Sequence, residues 1–219
     1  MGNGELMFLF GCILGTMRNI RWVVGVDEAG RGPLAGPVSV AAVAFPESLY
    51  REHTKVIGGI RDSKKLTELG RGRWYTKLLA QAKTGKVRVA SSMVSHSVID
   101  RRGINKATAL GIARTLIKLD LYPATTRVLL DGSLAAPALW RNQKNIVRGD
   151  DRMAIIAAAS VIAKVRRDRR MERLSLRYPD YGFAIHKGYG TASHYRILKK
   201  RGLSGIHRRS FCKKMFPMV

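Results

Sequence analysis

Acidic residues are scarce in this 219-residue chain: 15 Asp and Glu stand against 40 Lys and Arg, a formal net charge of +25. That imbalance excludes an ordinary near-neutral surface. It points to a polyanionic partner, because each neutralised phosphate releases condensed counterions. Cysteine is nearly absent. Cys12 and Cys212 lie near opposite ends without metal-ligand spacing, which excludes a disulfide framework and suits a reducing compartment, with the cytoplasm as the expected location. Long apolar runs are missing as well. The stretch from Leu6 to Leu14 is too short to span a bilayer and has no basic segment before it, so neither an anchor nor a secretory signal is expected. The five histidines (His53, His96, His186, His194, His207) form no HExxH or similar zinc pattern. Water is therefore the expected nucleophile, and His186 reads as substrate-facing or structural.

What is present suits one domain with a sizeable core, since 46% of residues are hydrophobic. Strands are expected over Trp22–Glu28, Val38–Phe45, Lys86–Val94 and Arg127–Asp131, with a further short one at Ile146–Arg148. In the third of these, Val87 and Val89 alternate as a half-buried strand requires. Helices are expected from an N-cap at Thr67 to a stop at Gly85, over Ile104–Leu119, over Ala154–Tyr178 and over Thr191–Lys200. The order implies an α/β fold, a mixed sheet flanked by helices, with a helical C-terminal portion. No boundary stands out before residue 178. The expected division is an unmatched extension at 1–16, a core at 17–178 and a C-terminal segment at 179–219. Met17, just before the first basic strand, is a candidate start of translation.

The most informative stretch runs from Asp27 to Pro37, Asp-Glu-Ala-Gly-Arg-Gly-Pro-Leu-Ala-Gly-Pro. Two adjacent carboxylates end an apolar strand, and a glycine-punctuated loop follows. Carboxylates suit a hard cation, and backbone bare of side chains can approach a sugar–phosphate chain closely. Neighbouring strand residues face opposite ways, so the chain is expected to leave regular β-structure near Glu28. Asp131 ends a second apolar strand, and Asp150 follows Arg148-Gly149. Acids at adjacent strand tips converge beyond the sheet edge. Four of them would repel unless neutralised, which suits two divalent ions roughly 3.5–4 Å apart. Asp-Gly pairs are also ordinary turn formers. Asp151 and Asp168 compete for the fourth position, although Asp168, among arginines, reads first as a helical ion-pair partner.

These residues resemble the type 2 ribonucleases H, the bacterial ribonuclease HII family. The resemblance runs through Asp62-Ser63-Lys64-Lys65-Leu66, Val128-Leu129-Leu130-Asp131-Gly132, Val147-Arg148-Gly149-Asp150 and the run from Ala157 to Val165. It ends with His186-Lys187-Gly188-Tyr189-Gly190-Thr191 and His207-Arg208-Arg209-Ser210-Phe211, and it covers roughly residues 21–211. The resemblance implies a ribonuclease H-like fold and metal binding by Asp27, Glu28, Asp131 and Asp150, with Mg²⁺ or Mn²⁺ as cofactor. It implies cleavage of the RNA strand of RNA–DNA hybrids, and nicking of duplex DNA 5′ to an embedded ribonucleotide, leaving 3′-hydroxyl and 5′-phosphate ends. Gly30, Arg31 and Gly32 would meet the sugar, and Tyr189 would pack on the nucleotide at the junction. Lys64, Lys65 and Lys164 are candidate phosphate contacts. Arg166, Arg167, Arg169, Arg170 and Arg173 read as a general electrostatic surface. A monomer is the default expectation. The competing readings are a ribonuclease HIII-type enzyme and a silent nucleic-acid-binding protein.

Overall fold

In a computed structural model, residues 20–50, 57, 60, 66–213 and 215–216 are described. The extension at 1–16, Cys12, His53 and the candidate contacts Lys64 and Lys65 lie outside them. Five strands form one sheet: β1 (Trp22–Ala29), β2 (Val38–Pro46), β3 (Arg88–Val94), β4 (Thr126–Asp131) and β5 (Gln143–Ile146). Their order is β3-β2-β1-β4-β5. β2 runs antiparallel to β1 and β3, while β1, β4 and β5 are parallel. The acid-bearing ends of β1 and β4 therefore point the same way.

The helices are α1 (Glu68–Lys83), α2 (His96–Lys118), the single turn α3 (Gly149–Arg152), α4 (Ala154–Arg177), the short α5 (Phe183–His186), α6 (Ala192–Arg201) and the short α7 (Arg209–Cys212). Thr67 caps α1 by accepting from Gly70 N at 3.1 Å, and Thr191 caps α6 by accepting from His194 N at 3.2 Å. Both faces of the sheet are covered. Val23, Val43 and Phe45 pack with Leu78 and the alanine-rich start of α4, whereas Val24, Val26, Val128 and Leu130 pack with Ile112 and Leu116 of α2. Cover on both sides explains why β1 and β2 read as continuous apolar runs. It also overturns the half-buried alternation expected for β3, in which Ala90, Ser91 and Ser92 are buried in succession.

Two other expectations need correction. The helix expected from Ile104 is the second of two helical pieces of α2: a first piece, capped by Ser95, starts at His96, and Gly103, at φ 77 and ψ 159, joins the two across a kink. The fifth strand is Gln143–Ile146, and Arg148 instead adopts a left-handed conformation. β1 runs one residue beyond Glu28, to Ala29. β2 pairs with β1 through Ala29↔Ser39, although pairing with β4 stops at Val26↔Leu130.

α4 crosses β1 closely because Gly25 has no side chain. A Cβ there would lie 2.4 Å from the Ile155 carbonyl oxygen. Gly25→Ala must push α4 off the sheet, and it is expected to cost about 3 kcal/mol or more. A urea titration reads this directly, and an unchanged midpoint would show that α4 yields freely.

Candidate active site

β1 and β4 end together at a cavity of about 440 Å³ lined by Asp27, Glu28, Asp131 and Asp150, with Gly30, Lys164 and Tyr189. Asp27 and Asp150 are buried. Each strand acid is aimed by the backbone beside it. Asp27 Oδ1 accepts from Glu28 N at 2.7 Å, and Asp131 Oδ1 accepts from Gly149 N, at the start of α3, at 2.6 Å. α3 thus ties the Asp150 turn to the tip of β4.

This grouping strains its own charges. Burial raises Asp27 well above the usual carboxylate range, and the charges of Glu28 and then Asp131 raise it further against a hydrogen bond from Ser160. Burial likewise raises Glu28, with Arg31 opposing and Asp131 adding to the shift. Glu28 Oε2 is buried without a hydrogen-bond partner. Such under-compensated carboxylates, one with an orphan oxygen, fit a hard divalent cation. Among the described residues, however, no three His, Cys, Asp or Glu side chains stand close enough to form a metal cage as they are.

The loop after β1 is held from inside. Arg208 Nε, Nη1 and Nη2 donate to the carbonyls of Gly36, Arg31 and Gly30 at 3.0, 2.7 and 2.6 Å. Arg167 donates to Pro37 O at 3.0 Å and Ala35 O at 3.2 Å. Both arginines are fully buried. The two loop glycines differ. A Cβ on Gly30, at φ +93, would lie 2.0 Å from Arg167 Nε, whereas one on Gly32 meets nothing within 4 Å. Internal packing thus accounts for Gly30 and leaves Gly32 unexplained.

The sequence profile of the Ribonuclease HII family matches residues 24–214. A ribonuclease HII of Caldicellulosiruptor bescii is 42% identical over 198 residues, covering 90% of each chain. The chain belongs to the ribonuclease HII family. It is a ribonuclease H enzyme. Among solved structures, the ribonuclease HII of Archaeoglobus fulgidus, determined in complex with PCNA, superposes with a TM-score of 0.68 at 25% identity, covering 90% of this chain and 95% of that one. Bst-RNase HIII, solved in complex with Mn²⁺, shares the fold at a TM-score of 0.65 and 22% identity, covering 85% of this chain and 64% of that one.

In this ribonuclease HII the C-terminal segment contributes Tyr189 to the cavity's lining. Tyr189 is half-exposed there, with Lys164 Nζ 5.6 Å and the Arg167 guanidinium 5.4 Å from its ring centre. Lys164 also pairs with Asp168 at 2.9 Å. Arg31 is partly exposed, reaching Asn105 at 2.7 Å and Glu28 at 3.7 Å. Arg167 does not belong to an electrostatic surface: it is buried, while Arg169, Arg170 and Arg173 are exposed. Arg208, absent from the sequence-based candidates, proves central. No helix among the described residues is long and apolar enough to cross a membrane.

The histidines of this segment are internal. His186 and His194 stack with ring centres 4.1 Å apart, and His194 Nε2 lies 3.0 Å from His207 Nε2. Burial, chiefly, lowers His194 and His207 from 6.5 to about 4. Their neutral forms are favoured by folding, so their contribution is complete above about pH 6.5 and is lost as the pH falls towards 4. An NMR titration should find both rings neutral at pH 5.5. Midpoints near 6.5 would contradict this packing.

Proposed function

We propose that this enzyme cuts the RNA strand of RNA–DNA hybrids and nicks duplex DNA on the 5′ side of an embedded ribonucleotide, leaving 3′-hydroxyl and 5′-phosphate ends. The observation that carries the reading is the meeting of four acids with Gly30 and Tyr189 around one cavity at the tips of β1 and β4. A net charge of +25 supports a nucleic-acid substrate.

Asp27, Glu28, Asp131 and Asp150 would hold the divalent ions, two in number and Mg²⁺ or Mn²⁺, since both accept carboxylate oxygen. When bound, such ions supply Lewis acidity to the attacking water and to the charge developing on the scissile phosphate. The protein's own groups do the placing. The Gly30–Gly32 backbone, with the Gly30 and Arg31 carbonyls pinned inward, lies against the sugar whose 2′-hydroxyl distinguishes RNA from DNA. Tyr189 packs on the neighbouring nucleotide, and Lys164 steadies a phosphate while its partner Asp168 keeps it at the cavity wall. The exposed Arg169, Arg170 and Arg173 add attraction for the duplex without reading its sequence.

A DNA duplex carrying one ribonucleotide, incubated with Mg²⁺, Mn²⁺ or EDTA, tests the reading. A metal-dependent nick 5′ to the ribonucleotide, absent from all-DNA duplex, is expected. Tight binding without any cut, there or in a longer hybrid, would favour the silent binder. Gly32→Ala sharpens the test. With open space around it, the substitution should leave stability within about 0.5 kcal/mol yet raise KM about tenfold by crowding the sugar. An unchanged KM would remove Gly32 from the substrate surface.

A further inference from the structure

We propose that His194 and His207 are positioning residues that fix Tyr189 through a one-way hydrogen-bond relay running from Ser204. The proposal rests on Tyr189 being a nucleotide contact, as above.

The direction of the relay follows from one atom that has no choice. Ser204 N, a backbone donor, lies 2.8 Å from His207 Nδ1, so that ring nitrogen carries no proton. The hydroxyl of Ser204, 2.7 Å away, can donate to it as well. A neutral His207 then bears its proton on Nε2 and donates it to His194 Nε2, 3.0 Å away. His194 must therefore carry its proton on Nδ1, which donates to the Tyr189 carbonyl at 2.8 Å. Each ring accepts at one end and donates at the other. A second proton on either would leave two donors facing each other.

The relay adds to the backbone bonds at Tyr189, whose N donates to His186 O at 2.9 Å and whose carbonyl also accepts from Thr191 N at 2.8 Å. Lys187 and Gly188 both have positive φ, 50° and 85°, so the chain turns sharply just before Tyr189. His186 braces the turn, its Nδ1 accepting from Gly188 N at 3.1 Å and its Nε2 donating to Tyr181 O at 2.7 Å. Beyond it, the Tyr189 ring projects into the acidic cavity. Neither His194 nor His207 lines that cavity, and both are buried. They act on substrate only through the tyrosine they hold.

The chemistry of the relay selects the variants. In His194→Asn the side-chain amide nitrogen is as many bonds from Cα as Nδ1 is, so it can still donate to Tyr189 O. In His194→Gln the amide is one bond further out, level with Nε2, and in His194→Leu the donor is gone. Cleavage of the single-ribonucleotide duplex in Mn²⁺ is measured for each, in the parent and in Tyr189→Ala, with melting temperatures alongside. Expected in the parent is a loss of kcat/KM of about 10- to 100-fold for Leu and Gln, with Asn within about threefold. In Tyr189→Ala the same changes should add nothing. Should the Leu protein fail to fold, the Asn–Gln contrast carries the test. Equal losses for Asn and Gln, losses that multiply independently of Tyr189, or wild-type rates throughout would each overturn the relay. If Tyr189→Ala itself cuts normally, the nucleotide-contact reading fails and the relay proposal with it. A Tyr189-dependent enzyme indifferent to His194 sinks the relay alone.

Discussion

Asp131→Asn is expected to lose cleavage by at least about 10³-fold while keeping, or slightly raising, the stability of the metal-free protein. Asn can still accept from Gly149 N through its side-chain oxygen, preserving the 2.6 Å bond that ties α3 to β4. Its other atom becomes a nitrogen donor, which a hard cation rejects. Lewis-acid stabilisation amounts to several kcal/mol, and each 1.4 kcal/mol is about tenfold in rate. The stability effect has the opposite sign because Asp131 is one of the charges that raise Asp27 and Glu28. Removing it relieves repulsion that no cation offsets in EDTA. Thermal melts in EDTA and with Mg²⁺ separate the two effects. The parent should gain melting temperature with metal by mass action, and the variant much less. Duplex binding should persist, since the basic surface is untouched, and Asp27→Asn should behave alike in cleavage. Near-normal cutting by either protein would overturn the assignment of the acids.

Arg208→Lys should be damaging although it conserves charge. The three nitrogens of one guanidinium reach three carbonyls of the loop after β1, and an ammonium cannot span them. Burial, and then Arg167, lowers Arg208 to about 9, which still leaves it charged at neutral pH. With two of the carbonyls left without a donor, at about 1–3 kcal/mol each, a loss of about 2–6 kcal/mol is expected. Where the protein remains folded, KM should rise more than the metal requirement, because Arg31 and Gly32 move while the acids stay. Urea midpoints and Michaelis curves check this. A variant with parental midpoint and KM would show that the loop holds itself.

Asp27, Glu28 and Asp131 were legible in the sequence because they lie at the ends of the apolar strands β1 and β4, where parallel strands expose their chemistry, whereas Asp150 sits in the turn α3 beyond the mostly polar β5. β1 and β2 were legible as apolar runs, α1 from its Thr67 cap, and α4 from its apolar, alanine-rich start. The start of α2 was not, because Gly103 breaks the helical pattern that a single helix would keep. Arg167 and Arg208 were missed for a different reason. Arg167 sits in Arg-Arg-Asp-Arg-Arg, which reads as uniformly polar. Its position four residues after Ala163 and four before Met171, both buried, puts it on the apolar stripe of α4, and that spacing was the available signal. Nothing local marks Arg208, whose partners lie in the loop after β1. The neutral histidine pair was likewise hidden, since only folding brings Ser204, His207, His194 and Tyr189 into line.

The cap on the loop at Gly30 arrives 178 positions later in the chain, and this matters during synthesis. At ~5–20 residues per second, roughly 10–35 s separate the appearance of the two residues. Once β4 has been made the acid-bearing strands can pair, but until Arg208 follows the carbonyls of Gly30, Arg31 and Gly36 have no guanidinium to turn towards. A nascent chain on the ribosome, surrounded by RNA, therefore carries the acids proposed to hold metal before the loop beside them is finished. Translation order itself delays the assembled nuclease until Arg208 docks.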